Sequence, residues 1–235
     1  MTKLRQEFSK DYEALVKRVF TYKENLAFVR FNEWEYGLVA GKWFNGAWGI
    51  WGTRVGKNRL RSAVLATMYE LEADYIYGIA SQQYPEANAW YKDFIESEHK
   101  TFATIWVNNN WKRFKEVLYN IKEDVVIVGN KVGRDSKYPF NVIQYFPVES
   151  DCVSWFEENR KKIDEMCWEI ASHQNKLILF CAWPLSNYMI HRCWLLNDKN
   201  RYIDIGSCLD EFIMGYKSRN YLKDGGSTCN QIDLF

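Results

Sequence analysis

Apolar positions along the chain recur with two periods, one helical and one extended, and the two alternate. Residues 5 to 21 place Phe8, Tyr12, Leu15, Val16 and Val19 at helical spacing among charges, which predicts an amphipathic opening helix. In FVRFNEWEYGLVAG (28–41) the β-formers Phe28, Val29 and Phe31 flank Arg30, and Tyr36, Leu38, Val39 and Ala40 follow Glu35. That stretch reads as a strand running into a short helix. Residues 58 to 73 predict a second amphipathic helix with Leu60, Val64, Met68 and Leu71 on one face. Tyr75 to Ala80 predicts a strand, residues 86 to 99 a helix, and Phe102 to Val107 a further strand. The last of these ends in Asn108, Asn109 and Asn110, the third placed to cap the helix beginning at Trp111.

From Asp124 the pattern is that of an α/β protein. VVIVG (125–129) is a nearly continuous β-branched run of the kind buried on both faces of a parallel sheet. Asn141 to Phe146, Leu177 to Ala182 and Tyr202 to Ile205 predict three more strands. Helices are predicted from about Cys152 to Ser172, from Pro184 through about Leu196, and from Leu209 to Met214. Strand and helix alternate, so the expected fold class is α/β, a doubly wound, mainly parallel sheet with flanking helices. No repeat, low-complexity segment or linker interrupts residues 1 to 235, which read as a single domain with a loosely attached tail over about 223–235.

Composition narrows the class of partner. A chain of 235 residues buries about 70% of its unfolded surface, so a substantial core is available. With 47% apolar residues, 26% charged residues and a formal net charge of +1, the chain is neither disordered nor built for nucleic acid; a small molecule or neutral polymer fits better. KWFNGAWGIWGTRVGK (42–57) holds four Gly and three Trp and predicts a structured loop whose indoles either pack on the domain or stack on sugars. The six cysteines lack a Cys-x-x-Cys pair and read as free, mostly buried thiols. The charged N-terminus and the lack of any apolar run of ~20 residues predict a soluble, cytoplasmic chain with no membrane span.

Three constellations carry candidate chemistry. On an extended segment Glu33 and Glu35 share one face, where two carboxylates need a proton or a cation between them; hard divalent ions such as Mg²⁺ or Mn²⁺ suit oxygen ligands and bridge to phosphates. Arg30 is placed to neutralise a phosphate. The same residues also match a helix start, with Asn32 as N-cap and Glu35 at the capping-box position. The two uses are compatible, Glu33 facing a metal while Glu35 holds the turn. In YIDIGSCLDEF (202–212) Asp204 interrupts an apolar strand and needs a role or a donor such as Arg201 or Arg219; Gly206 and Ser207 offer backbone amides, and Asp210 stands one turn further on. In CAWPLSN (181–187) Ser186 and Asn187 suit helix capping. His99, His173 and His191 have no metal-ligand spacing, although His191 is placed to reach a cleft. No Gly-x-Gly-x-x-Gly, phosphate-binding loop or Gly-x-Ser-x-Gly elbow is present, against a dinucleotide enzyme, a P-loop NTPase or an α/β-hydrolase.

FVRFNEWEYGLVAG resembles the Arg-Phe-x-Asp-x-Glu segment of the GT-D class of glycosyltransferases, a group first described as a domain of unknown function. Three further stretches follow in the same order. IWVNNNWKRFKEVL with VVIVGNKVG looks like its central strand, Asn-rich turn and next strand; LFCAWPLSN looks like its Ala-Gly-Pro strand exit. RYIDIGSCLDEFIMGYKSRNYL looks like its closing Asp-x-Gly-Ser-x-x-Asp segment with the later Arg-x-Tyr. The resemblance spans about residues 8 to 222. It implies a Rossmann-like catalytic domain that moves a hexose or deoxyhexose from a UDP- or TDP-sugar to a glycan or glycoprotein acceptor. It also implies a divalent metal, Mn²⁺ or Mg²⁺, at Glu33 and Glu35. Expected nucleotide contacts are Arg30, Asn32, Asn108, Asn109 and Asn110; Gly206, Ser207 and Arg219 are expected at phosphate or sugar. Glu35, Asp210 and Asp204 are the expected catalytic groups, one of the two aspartates being the base. Glu33 replaces the family's Asp, and Trp34 and Trp183 stand where it has Gly. The competing expectation is a non-catalytic glycan- or nucleotide-sugar-binding module.

Overall fold

The computed structural model describes residues 3–41 and 59–223, with side chains from residue 10 onward. The indole-rich loop and the tail beyond residue 223 lie outside the described residues. Seven strands form one sheet: β1 (Leu26–Phe31), β2 (Tyr75–Ile79), β3 (Lys100–Phe102), β4 (Val125–Asn130), β5 (Val142–Val148), β6 (Leu177–Cys181) and β7 (Arg201–Asp204). Their spatial order is β3-β2-β1-β7-β6-β4-β5, and each neighbouring pair is parallel. Helices cover both faces, which is why residues 125–128 of β4 and 177–180 of β6 are apolar at successive positions rather than alternating.

Successive residues of each strand enter different cores. Ala27, Val29 and Phe31 of β1 pack into one, with α2 (Glu33–Ala40), α3 (Arg59–Ala66), α4 (Pro85–Phe94), α6 (Cys152–Ala171) and α7 (Pro184–Leu196). Leu26 and Phe28 pack into the other, with α1 (Lys3–Val16), α5 (Trp111–Tyr119) and α8 (Asp210–Ile213). This division positions the site. β1 leads into α2 on one face, and its neighbour β7 leads through a 3-10 turn (Gly206–Leu209) into α8 on the other. Connections that leave adjacent strands toward opposite faces open a crevice above the carboxyl ends of both.

Four local expectations need correction. β3 ends at Phe102, and residues 103–107 turn instead of extending. That turn is tied down from outside: Arg30 Nε donates to the Ala103 carbonyl, and Trp106 Nε1 donates to the Asp204 carbonyl at 3.1 Å. Ile105 and Trp106 are fully buried in the second core, Trp106 stacked on Phe114 at 4.7 Å; the apolar run is a plug, which period alone cannot separate from a strand. Asn110 precedes α5 but does not cap it with its side chain, because its Nδ2 donates to the Ile105 carbonyl at 2.9 Å. α3 and α4 stop at Ala66 and Phe94, shorter than their patterns suggest, the first continuing only as a 3-10 turn (Thr67–Tyr69). No helix among the described residues is long and apolar enough to cross a membrane. The five described cysteines are free thiols; Cys229 lies outside the described residues.

Candidate active site

The amino end of α2 is where the first constellation folds. Asn32 is extended (φ −102°, ψ −162°) at the N-cap, and Glu35 Oε2 accepts its backbone N–H at 2.9 Å. Gly41 closes the helix in the left-handed region at φ 66°. Because α2 begins at Glu33, residues 33 and 35 are about 200° apart around a helix of 3.6 residues per turn, not on one face as an extended segment would have them. Glu35 turns inward and is buried; burial, then the nearby Asp204 charge, pushes its carboxyl up to about 7. Glu33 turns toward the crevice. Burial raises its pKa, opposed by its backbone amide and by the Arg30 and Arg219 charges, and its Oε2 is buried without a hydrogen-bond partner.

Arg30 occupies the centre. Its Nε is held by the Ala103 carbonyl, its own carbonyl accepts Asn187 Nδ2 at 2.8 Å, and its Nη1 lies 4.0 Å from Asp204 Oδ1. Neither Nη makes a hydrogen bond to a described residue; Nη1 packs against Gly206, and the side chain, 12% exposed, lines the crevice. Asp204 Oδ1 accepts the Gly206 N–H at 2.8 Å, and burial pushes its carboxyl up to about 6 against the pull of Arg30. Gly206 has φ +55°, and a Cβ there would lie 1.6 Å from Arg30 Nη1. Glycine is therefore required twice at that position, by backbone conformation and by space.

The partner expected for Asp204 is corrected by these contacts. Arg201 is buried beneath the sheet, where it donates to both oxygens of Glu123 at 2.8 and 2.6 Å and to the Val19 carbonyl at 2.9 Å. Ser186 and Asn187 do not cap α7, whose N-cap position is Trp183. Ser186 Oγ accepts the Ala182 N–H at 3.0 Å, and Asn187 ties the helix to the end of β1. His191 packs edge-on against Tyr75 with ring centroids 5.9 Å apart and does not reach the crevice. His173 meets Gln144 at 2.9 Å.

The crevice is a cleft of about 470 Å³. Arg30, Asn32, Glu33, Glu35, Asn108, Asp204, Gly206, Ser207, Asp210 and Arg219 all line it, although they come from parts of the chain up to 189 positions apart. Asn109 is exposed and Asn110 buried, and neither lines it. Ser207 Oγ shares a 2.6 Å hydrogen bond with Tyr221 OH, and Ser218 Oγ donates to Asp210 Oδ2. Burial raises the Asp210 pKa, opposed by Ser218 and Arg219. Sequence reasoning missed Thr104, whose buried hydroxyl has no partner, along with Tyr84 and Asn130. Thr104 was hidden in the misassigned strand; Asn130 carried a usable signal, a polar residue ending an apolar strand. A larger groove of about 620 Å³ between α1 and α5 holds Lys, Arg and Glu of both signs but no strand end.

Two solved structures have a similar architecture. One is described as the selenomethionine-substituted structure of domain of unknown function 1792; it matches with a TM-score of 0.58 and 12% identity, over 92% of this chain and 89% of that chain. The other is described with the words "the highly conserved domain of unknown function 1792 has a distinct glycosyltransferase fold"; its TM-score is 0.52 at 12% identity, over 92% of this chain and 82% of that chain. The fold is shared with that domain. No protein-family model matches the chain, and no curated protein matches it significantly. The 470 Å³ cleft thus sits on an α/β sheet whose fold is shared with that domain.

The donor set bears on a divalent cation. Among the described residues no three His, Cys, Asp or Glu side chains converge as a cage. Glu35 is engaged at the helix start, whereas Glu33 Oε2 has no hydrogen-bond partner. One carboxylate with substrate phosphates and waters is a set that Mg²⁺ accepts, so Glu33 fits the part of a ligand that would hold such an ion.

Proposed function

We propose that the chain is a glycosyltransferase that uses a nucleotide-activated sugar, a UDP- or TDP-hexose or deoxyhexose, and delivers the sugar to a glycan or glycoprotein acceptor. The observation that carries this reading is Arg30: a largely buried cation, held at Nε by the Ala103 carbonyl, that lines a cleft at the strand ends of a sheet whose fold is shared with a domain described as having a glycosyltransferase fold. A guanidinium edge held in that way matches the paired oxygens of a phosphate.

In this mechanism Arg30 and Arg219 bind the diphosphate and stabilise the charge that grows on it as the glycosidic bond breaks. Glu33 would hold a divalent ion, which would supply further positive charge for the departing diphosphate. Asp204 keeps Arg30 in place through its charge and through the turn at Gly206. Glu35 is a positioning residue that fixes the start of α2 and thereby the direction of Glu33. Asp210, half-buried at the opposite wall, with a pKa raised by burial, is the base that takes the acceptor hydroxyl proton. Asn32, Asn108 and Ser207 supply neutral contacts to the nucleotide.

Calorimetric titration with UDP- and TDP-sugars, with and without Mn²⁺, tests the binding; a donor panel assayed for hydrolysis and transfer tests the chemistry. Binding strengthened by Mn²⁺ in the wild type and unaffected by it in Glu33→Gln is expected. No binding of any donor in either condition refutes the proposal, and binding without turnover by any donor leaves only a binding module.

A further inference from the structure

Trp183 stands between the end of β6 and Pro184, the first residue of α7, with φ 50° and ψ −143°. Residues with a Cβ avoid this region and glycine enters it freely. The backbone on either side enforces it. Ser186 N–H donates to the Trp183 carbonyl at 2.9 Å, Leu185 N–H to the Ala182 carbonyl at 3.2 Å, and Ala182 N–H to Ser186 Oγ at 3.0 Å. Glycine would make every one of these bonds without strain. The turn therefore does not call for an indole, yet an indole is there, 39% exposed and lining the cleft.

Its place in the sheet indicates its use. β6 and β1 flank β7, so Trp183 stands two strand spacings, about 10 Å, from the Arg30 end of the cleft. The charged groups Arg30 and Glu33 stand at the β1 end, whereas the β6 side offers Trp183 and Cys181, with Asn130 of β4 and Val148 of β5 beyond, so the indole adds a broad apolar surface to a mixed lining. A sugar joined to a diphosphate on Arg30 extends in that direction, and an acceptor sugar arrives beside it. We propose that Trp183 is a specificity-determining residue whose indole stacks on the apolar face of a hexopyranose. The proposal rests on the nucleotide-sugar reading above and deepens it by naming the sugar subsite.

The test titrates wild type, Trp183→Ala and Trp183→Phe with UDP and TDP, with a panel of UDP- and TDP-hexoses, and with methyl hexopyranosides followed by saturation-transfer NMR. UDP and TDP should bind all three proteins alike. The preferred nucleotide-hexose should bind Trp183→Ala about two- to tenfold more weakly, the range of an aromatic stacking contact, and Trp183→Phe almost as well as wild type. If no nucleotide binds the wild type, the functional reading fails, and the stacking surface is judged on the methyl glycosides alone: saturation transfer that Trp183→Ala abolishes supports it. Equal weakening of nucleotide and nucleotide-hexose overturns the proposal, as does an absence of any indole-dependent sugar signal. Trp183→Gly adds a stability arm. Its thermal midpoint should equal or exceed that of Trp183→Ala, because glycine relieves the strain that alanine retains; a clearly lower midpoint removes the strain argument and the proposal with it.

Discussion

Gly206→Ala is the substitution whose consequence the structure specifies most fully. The added methyl would lie 1.6 Å from Arg30 Nη1 and 2.8 Å from its Cζ, so the guanidinium must leave its seat. Two costs follow. Alanine at φ +55° costs about 1–2 kcal/mol in backbone strain. Displacing Arg30 strands Asp204, whose side chain is only 7% exposed; breaking a buried pair costs about 3–5 kcal/mol, lessened here because the 4.0 Å separation is long and Asp204 can take up a proton. A total of roughly 3–5 kcal/mol is expected at pH 8. At pH 5, below the Asp204 value of about 6, the carboxyl is largely neutral already and the cost should approach the backbone part alone. Urea unfolding followed by tryptophan fluorescence at both pH values measures this, and a double-mutant cycle with Arg30→Ala isolates the clash. In the Arg30→Ala background Gly206→Ala should cost only about 1–2 kcal/mol. An equal cost in the two backgrounds would refute the account of why glycine is needed.

Three further outcomes are expected. The Glu35 carboxyl is raised from 4.5 to about 7 in the folded state, so its ionisation opposes folding: the penalty is absent below about pH 4.5, grows as pH rises, and is complete above about pH 7, where it reaches about 3 kcal/mol. Glu35→Gln, which keeps an acceptor for the Asn32 N–H, should therefore match wild type near pH 4 and exceed its stability by about 2–3 kcal/mol at pH 8, measured as the difference between chemical denaturation curves. Arg201→Met should cost about 1–3 kcal/mol in the same assay, since Glu123 keeps only Lys23 at 3.4 Å and the Val19 carbonyl loses its donor, while leaving UDP affinity of the folded fraction unchanged. Arg219→Met should do the reverse, lowering UDP affinity about tenfold in calorimetry with less than about 1 kcal/mol lost in stability, since the side chain is only half-buried.

The alternation of strand and helix was legible because each element carries its own period, and an apolar run too long for one exposed face, as in Val125 to Val128, already demands a sheet covered on both sides. The start of α2 was legible for the same reason: Asn32 and Glu35 act within a single turn. Tertiary contact decided the rest. Whether residues 103–107 extend or turn depends on Arg30 and Asp204, 73 and 98 residues away along the chain. Which arginine faces Asp204 depends on strand order, which sets β1 beside β7 and leaves Arg201 to Glu123 on the far side. The chemistry at the cleft belongs to the second kind. Local pattern could name Glu33 and Asp204 as polar residues in unusual places, but only the opposite exits of β1 and β7 bring them around one buried guanidinium.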